Sequence, residues 1–321
     1  MKIFLSACVA CAMIALLLQT ASNAAPMAGT GGPRLGSPGG GPVIDKSGDM
    51  LLQQMINASL PKFVQERFVD EKSGVAISYN LFRPTSAAST SGKPLVLFMA
   101  DASTPGNDVL RPLLQGYGGL VWATEEWQAI NPCYVLVPQF SGVAVNDDYE
   151  RSIEVDAVLR LVKHIAATEN VDKNKIYTTG QSMGGMISMY YSTKHPNIFA
   201  ASLFVDCHWN PDTFPELVRS TFTLITAGNS GKSFANISEI ENAAHAIKRP
   251  FAFAEWSAKL PLSEQDKLAN TLFSKGAPIN IINFTPKTVL PADGKGSEHM
   301  YSFDYAYRLR PVMEWLFRQS K

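Results

Sequence analysis

Short apolar runs alternate along this chain with stretches whose apolar positions recur every three or four residues. Residues 95–99 (Leu-Val-Leu-Phe-Met) and 134–137 (Tyr-Val-Leu-Val) are continuously apolar, as strands buried on both faces require. Residues 202–205, 223–226 and 279–284 read the same way, and 175–179 form a further strand ahead of a glycine. Between them, Ile153, Val155, Val158, Leu159, Val162 and Ile165 make one helical stripe. Residues 183–193, 239–247 and 263–273 predict three more helices. A last helix follows Pro311, a residue suited to a first turn, and runs through Trp315, Leu316 and Phe317. Near the start, 63–68 and 75–82 are strand-like and joined by Asp-Glu-Lys-Ser-Gly, which is hairpin turn chemistry. Strands alternating with helices predict an α/β fold: a mostly parallel sheet with helices on both faces and an antiparallel hairpin at one edge.

The first 50 residues break this pattern. Lys2 is the sole charge before residue 34, residues 3–18 are apolar apart from Ser6, and small residues follow, with Ser22 and Ala24 placed for cleavage. This predicts a signal peptide over 1–24, too short to span a bilayer comfortably, since a span needs about 20 residues. Residues 25–50, rich in Gly and Pro, are expected to be a flexible linker, with one folded domain over 51–321. The expected location is secreted, periplasmic or extracellular, with no membrane anchor after cleavage. Removing the leader takes Cys8 and Cys11 and leaves Cys133 and Cys207. Their places on non-adjacent strands favour two free buried thiols over a bridge, which needs Cα atoms within about 7 Å.

Composition adds mainly exclusions. The 321 residues are 46% hydrophobic and 17% charged, with 28 basic and 28 acidic side chains, so disorder and a nucleic-acid footprint are both disfavoured.

The chemistry sits at residues 175–185. Lys-Ile-Tyr-Thr-Thr leads into Gly180-Gln181-Ser182-Met183-Gly184-Gly185 and then a helix. G-x-S-x-G between a strand and a helix is a nucleophile elbow: it holds the serine in a strained conformation at the carboxyl edge of the sheet, where flanking side chains would collide with backbone. With 171–177, this segment resembles the α/β-hydrolase superfamily. The similarity is nearest to secreted prolyl-oligopeptidase-like esterases ("predicted peptidases"), close to feruloyl esterases and polyhydroxybutyrate depolymerases. Residues 115–119 (Gln-Gly-Tyr-Gly-Gly), Trp122-Ala123, 132–139 and Ser297-Glu298-His299-Met300 resemble that group as well. The resemblance spans roughly 60–321 and implies a sheet of about eight strands and triad members in the order serine, acid, histidine.

Of five histidines, His299 has the position expected of a general base, in a loop after the last strand. His164 and His245 fall within helices, and His195 precedes Pro196 at a helix end. His208 is placed at the site rim, able to touch substrate. A metal at Asp206, His208 and His299 lacks a ligand-spacing motif, so no metal and no cofactor are expected.

Two positions depart from the family pattern. Where its acid follows a strand as Gly-Asp, this chain has Gly228-Asn229, and asparagine carries no charge to stabilise an imidazolium. Asp206, at the end of the preceding strand, is the leading substitute; Glu239, Glu241, or no charged acid, stay open. Where the family often has His-Gly after the third strand, this chain has Ala100-Asp101. The oxyanion donors would be the N–H groups of Met183 and Asp101, and the Asp101 carboxylate must then turn away, toward Ser103, Thr104 or a helix end. Gln181, Trp209 and His208 are the expected substrate contacts; Trp122, Trp127 and Trp256 are either pocket or core.

The sequence therefore predicts a serine esterase: Ser182 attacks, His299 moves the proton, Asp206 orients it, and a small or polymeric ester is the partner. A peptidase or amidase, an acyltransferase, and a non-catalytic binding protein on the same scaffold are the alternatives.

Overall fold

The computed structural model describes residues 34–39, 43–85, 92–228 and 231–321. The signal segment 1–24 and Asn229 lie outside the described residues. Nine strands form one sheet: β1 Phe63–Val69, β2 Ala76–Phe82, β3 Lys93–Met99, β4 Tyr134–Gln139, β5 Val171–Gln181, β6 Ala201–Val205, β7 Phe222–Ala227, β8 Phe251–Trp256 and β9 Ile279–Phe284. Their spatial order is β1-β2-β4-β3-β5-β6-β7-β9-β8. β2 runs antiparallel to both β1 and β4, and every other pairing is parallel. The longer helices are α1 Met50–Ser59, α2 Ile153–Thr168, α3 Met183–Lys194, α4 Lys232–Ala246, α5 Leu262–Phe273, α6 Glu298–Tyr307 and α7 Arg310–Phe317.

The apolar runs are explained by two cores, one on each face of the sheet. In β3, Leu95, Leu97 and Met99 enter one core while Val96 and Phe98, with Ala100 just beyond the strand, enter the other. β6 and β7 divide likewise: Phe204, Phe222 and Leu224 face one side, and Leu203, Val205 and Ile225 the other. Each large side chain so buried contributes about 1.5–3 kcal/mol. Asp70 closes the leading hairpin against α2, where Arg160 grips it with two bonds of 2.5 and 2.7 Å.

Some elements differ from expectation. β8 was not expected: its apolar run, 251–254, is short and half alanine, and as an edge strand it buries Ala252 and Trp256 on one face while Phe253 is exposed. α1 precedes the hairpin. Asp49 caps it by accepting from Leu52 N–H, and it buries Leu52 and Met55. α4 starts seven residues before the expected 239.

The described part of the Gly/Pro-rich stretch is laid onto the domain instead of hanging free from it. Gly36 N–H donates to Val143 O, Val143 N–H returns a bond to Ser37 O, both at 2.8 Å, and Gly39 N–H reaches Pro105 O. Lys46 pairs with Asp304 at 2.6 Å and donates to Gln115 O. Glycine permits this contact, since a Cβ on Gly39 would lie 2.7 Å from Pro105 O. Cys133 and Cys207 are free and buried. No helix among the described residues is long and apolar enough to cross a membrane.

Candidate active site

β5 lies at the middle of the sheet, flanked by β3 and β6. Its register pairs Gly180 with Met99 of β3 and Gln181 with Val205 of β6. The residues just beyond these pairs, Asp101, Ser182 and Asp206, therefore emerge side by side at one edge.

Ser182 adopts φ 49° and ψ −118°, a conformation costly for a residue with a Cβ. Its neighbours make it unavoidable. A Cβ on Gly184 would overlap the Met99 carbonyl, and one on Gly180 would overlap the backbone of Gly184. Gly185 leaves room for the Cys207 side chain. α3 starts at Met183, so its first N–H groups face the same edge.

His299 arrives from the far side of the sheet. It is in the first turn of α6, not in a loop, and α6 packs over β6 and β7. That crossing brings His299 Nε2 to 2.9 Å from Ser182 Oγ. Its Nδ1 lies 3.5 Å from Asp206 Oδ2, and Asp206 is fully buried. This contact is long for a hydrogen bond, as catalytic contacts often are without substrate. Asp206 itself takes φ 39°, and its N–H donates to Ile225 O at 2.7 Å. Burial pushes the His299 pKa down, but the Asp206 carboxylate facing Nδ1, helped by the charges of Asp101 and Asp147, outweighs it and leaves a net rise. With the ring proton on Nδ1 facing Asp206, Nε2 is left to accept from the serine hydroxyl.

The carboxylate beside His299 is thus Asp206. Glu239 is exposed on α4, and Glu241 lies 3.9 Å from His245 on the same helix. Ser302, one turn after His299, was not anticipated: its hydroxyl lies 2.9 Å from Asp206 Oδ2 and 2.7 Å from the His299 carbonyl. The i, i+3 spacing in a helix was its only trace in the sequence.

Asp101 is 2% exposed, and its carboxylate is turned away from Ser182 as the oxyanion argument requires. Oδ1 accepts from Ser103 N–H at 2.7 Å; Oδ2 accepts from the Gln115 amide, and from Gln181 at 3.4 Å. Ser103 is among the expected partners; the others are side-chain amides, not a helix end. Gln115 is a second residue the sequence argument did not place. Gln181, expected against substrate, is instead 1% exposed and engaged with Gln115 and Asp101. It belongs beneath the site because β5 turns its side chain into the sheet edge just before the elbow.

A cavity of about 390 Å³ opens over this edge, lined among others by Asp101, Ser182, Met183, Asp206, His208 and His299. His208 is at its wall as expected, with Nε2 3.3 Å from Asp147 Oδ1 but outside hydrogen-bond geometry. Burial lowers the His208 pKa. Lys232 pairs with the other oxygen of Asp147 at 3.2 Å. Trp209 is not at the wall: it is 4% exposed and packs on Tyr149 and Tyr190. Its backbone N–H donates to Asn236, which draws the residue inward. Trp122, Trp127 and Trp256 are likewise core. Among the described residues no group of three or more His, Cys, Asp or Glu is arranged to hold a metal ion.

A mostly parallel sheet with a strained serine at the end of its central strand, and a histidine delivered from beyond the last strand, defines the α/β-hydrolase superfamily, and this chain has that fold. Residues 146–285 match the prolyl oligopeptidase family. Among solved structures, a thermostable esterase is 22% identical with a TM-score of 0.63. The match covers 81% of this chain and 64% of that one, so this chain spans a little under two thirds of the esterase. A putative dipeptidyl aminopeptidase IV from Bacteroides ovatus is 8% identical over 80% of this chain and 36% of its own, with a TM-score of 0.50. A feruloyl esterase module from Clostridium thermocellum is 13% identical over 78% and 87%, with a TM-score of 0.48. No curated protein matches the sequence. At these identities the thermostable esterase and the putative aminopeptidase show a shared fold alone.

Proposed function

We propose that the chain is a serine hydrolase that cleaves carboxylic esters through an acyl-enzyme. The observation that carries this is Ser182 Oγ at 2.9 Å from His299 Nε2, with buried Asp206 behind the same imidazole. Ser182 Oγ attacks the carbonyl carbon as its proton passes to His299 Nε2. Asp206 stabilises the imidazolium so formed. The carbonyl oxygen gains charge and is met by the N–H groups of Met183 and Asp101, the latter with its carboxylate engaged elsewhere. The C–O bond breaks, and His299 returns the proton to the alcohol. Water then repeats the cycle on the acyl-serine.

The match to a peptidase family favours amide cleavage as a second reading. The leader-like sequence at 1–24 supports export, and N-terminal sequencing of the exported protein should begin at Ala25. The test of the main reading is hydrolysis of p-nitrophenyl esters beside Ser182→Ala, with fluorophosphonate labelling of both proteins. Turnover and labelling should disappear together in the variant, a loss of roughly 10⁶-fold for a nucleophile. Equal turnover in both proteins rejects the mechanism. Labelling without ester turnover, but with cleavage of peptide anilides, turns it into a peptidase.

A further inference from the structure

A second cavity of about 270 Å³ adjoins the nucleophile's cavity. Asp101, Ser103 and Met300 line both. Its apolar walls come from three separate parts of the chain: Ile44 from the strap before α1 (residues 34–39 and 43–49), Leu52 from α1, and Leu114 from the short helix Arg111–Leu114 just before Gln115. Met300 and Phe303 of α6 complete it. Phe303 also stands edge-on to the His299 imidazole, with ring centroids 5.0 Å apart. The second cavity therefore abuts the general base as well as the oxyanion loop.

We propose that this cavity receives the alcohol part of the ester, and that the substrate's alcohol has an apolar body the size of one or two aromatic rings. The inference rests on the ester-hydrolase reading above. The chemistry supplies the direction: when the ester C–O bond breaks, the leaving oxygen takes its proton from His299 Nε2, while the carbonyl carbon stays on Ser182 Oγ. The leaving group must then lie on the His299 side, where Met300 and Phe303 form the wall. The size follows from volume, since a cavity of about 150 Å³ already admits benzene. The strap residues Val43, Ile44, Lys46 and Ser47 are part of this wall, so the stretch ahead of α1 contributes to selectivity and not only to tethering.

The experiment compares kcat/KM for naphthyl acetate, ethyl acetate and ethyl naphthoate in the full chain, in Ile44→Trp and in Leu114→Trp. Filling the cavity from either element should lower the ratio of naphthyl acetate to ethyl acetate at least about ten-fold, the scale of lost apolar contacts in a pocket. The ratio of ethyl naphthoate to ethyl acetate should stay put. An unchanged naphthyl acetate ratio, or an equal fall in the naphthoate ratio, overturns the assignment. A fluorescence titration with naphthol gives a readout free of turnover. Ser182→Ala should bind it at least ten-fold more tightly than Ser182→Ala combined with Ile44→Trp, and equal binding overturns the proposal. Absence of Ser182-dependent turnover for all three esters would defeat the esterase reading, and the titration would still decide the cavity.

Discussion

Two turns face the proposed reaction centre, and they are held by opposite means. The elbow after β5 is defined by exclusion: Gly180 and Gly184 lack side chains because backbone occupies that space, and Ser182 is left with its positive φ. The residues that must be small lie within a few consecutive positions, even though part of what excludes their side chains is the Met99 carbonyl of β3. The loop after β3 is defined by attachment. Asp101 bonds locally to Ser103, but also to Gln115 and to Gln181, 14 and 80 positions away, while Gly39 supports Pro105 from the strap. A turn shaped by sterics is written in contiguous letters. A turn shaped by polar partners is written wherever the fold brings those partners.

Substitutions should separate the two kinds. The scale is set by Asp206→Asn, expected to cost about 10⁴ in kcat, as loss of the triad carboxylate does elsewhere; an unchanged kcat removes Asp206 from the mechanism. Next is Gly184→Ala, whose methyl would overlap the Met99 carbonyl. It should lose about 10³ in kcat and about 3 kcal/mol of stability, read together by ester turnover and thermal melting. Full activity there would mean that exclusion does not define the elbow. Asp101→Ala should be milder, about 10–100-fold in kcat with little change in KM, because the N–H donor remains but its loop is released. Gln115→Ala should cost less again, about three- to ten-fold, since Ser103 and Gln181 still hold the carboxylate.

The smallest effect is a shift in pH dependence. The fold raises the His299 pKa, and a protonated imidazole cannot take the Ser182 proton. Activity should therefore fall as pH drops through a value above the usual histidine value of about 6.5. Asp101 contributes to that rise, so Asp101→Ala should move the acid limb down, whereas Gly184→Ala, which changes no charge, should leave it in place. Profiles of kcat/KM against pH for the residual activities decide this.

The same contrast explains how much could be read from the chain. The strands buried on both faces were legible, because a continuous apolar run has few other uses in a folded domain. β8 was not, since an edge strand buries one face and its apolar run is only four residues long, two of them alanine. Ser182 and His299 were legible through spacing and order. Trp209 and Gln181 were misplaced for one reason: their positions next to the site are evident in the sequence, but their direction is not. Trp209 is drawn into an aromatic cluster with Tyr149 and Tyr190, and Gln181 into the amides around Asp101.

The sequence by itself determined the α/β alternation, the strained serine and the glycines that allow it, and a histidine late in the chain. These are local patterns or matters of chain order, and physical chemistry constrains them residue by residue. Only the tertiary structure decided which carboxylate meets His299, where the charge of Asp101 goes, and that the glycine-rich stretch is laid against the loop after β3. Each of those depends on distant residues meeting at one sheet edge. Hydrogen bonds and ion pairs act over about 3 Å in space, and separation along the chain carries no record of which groups will come that close.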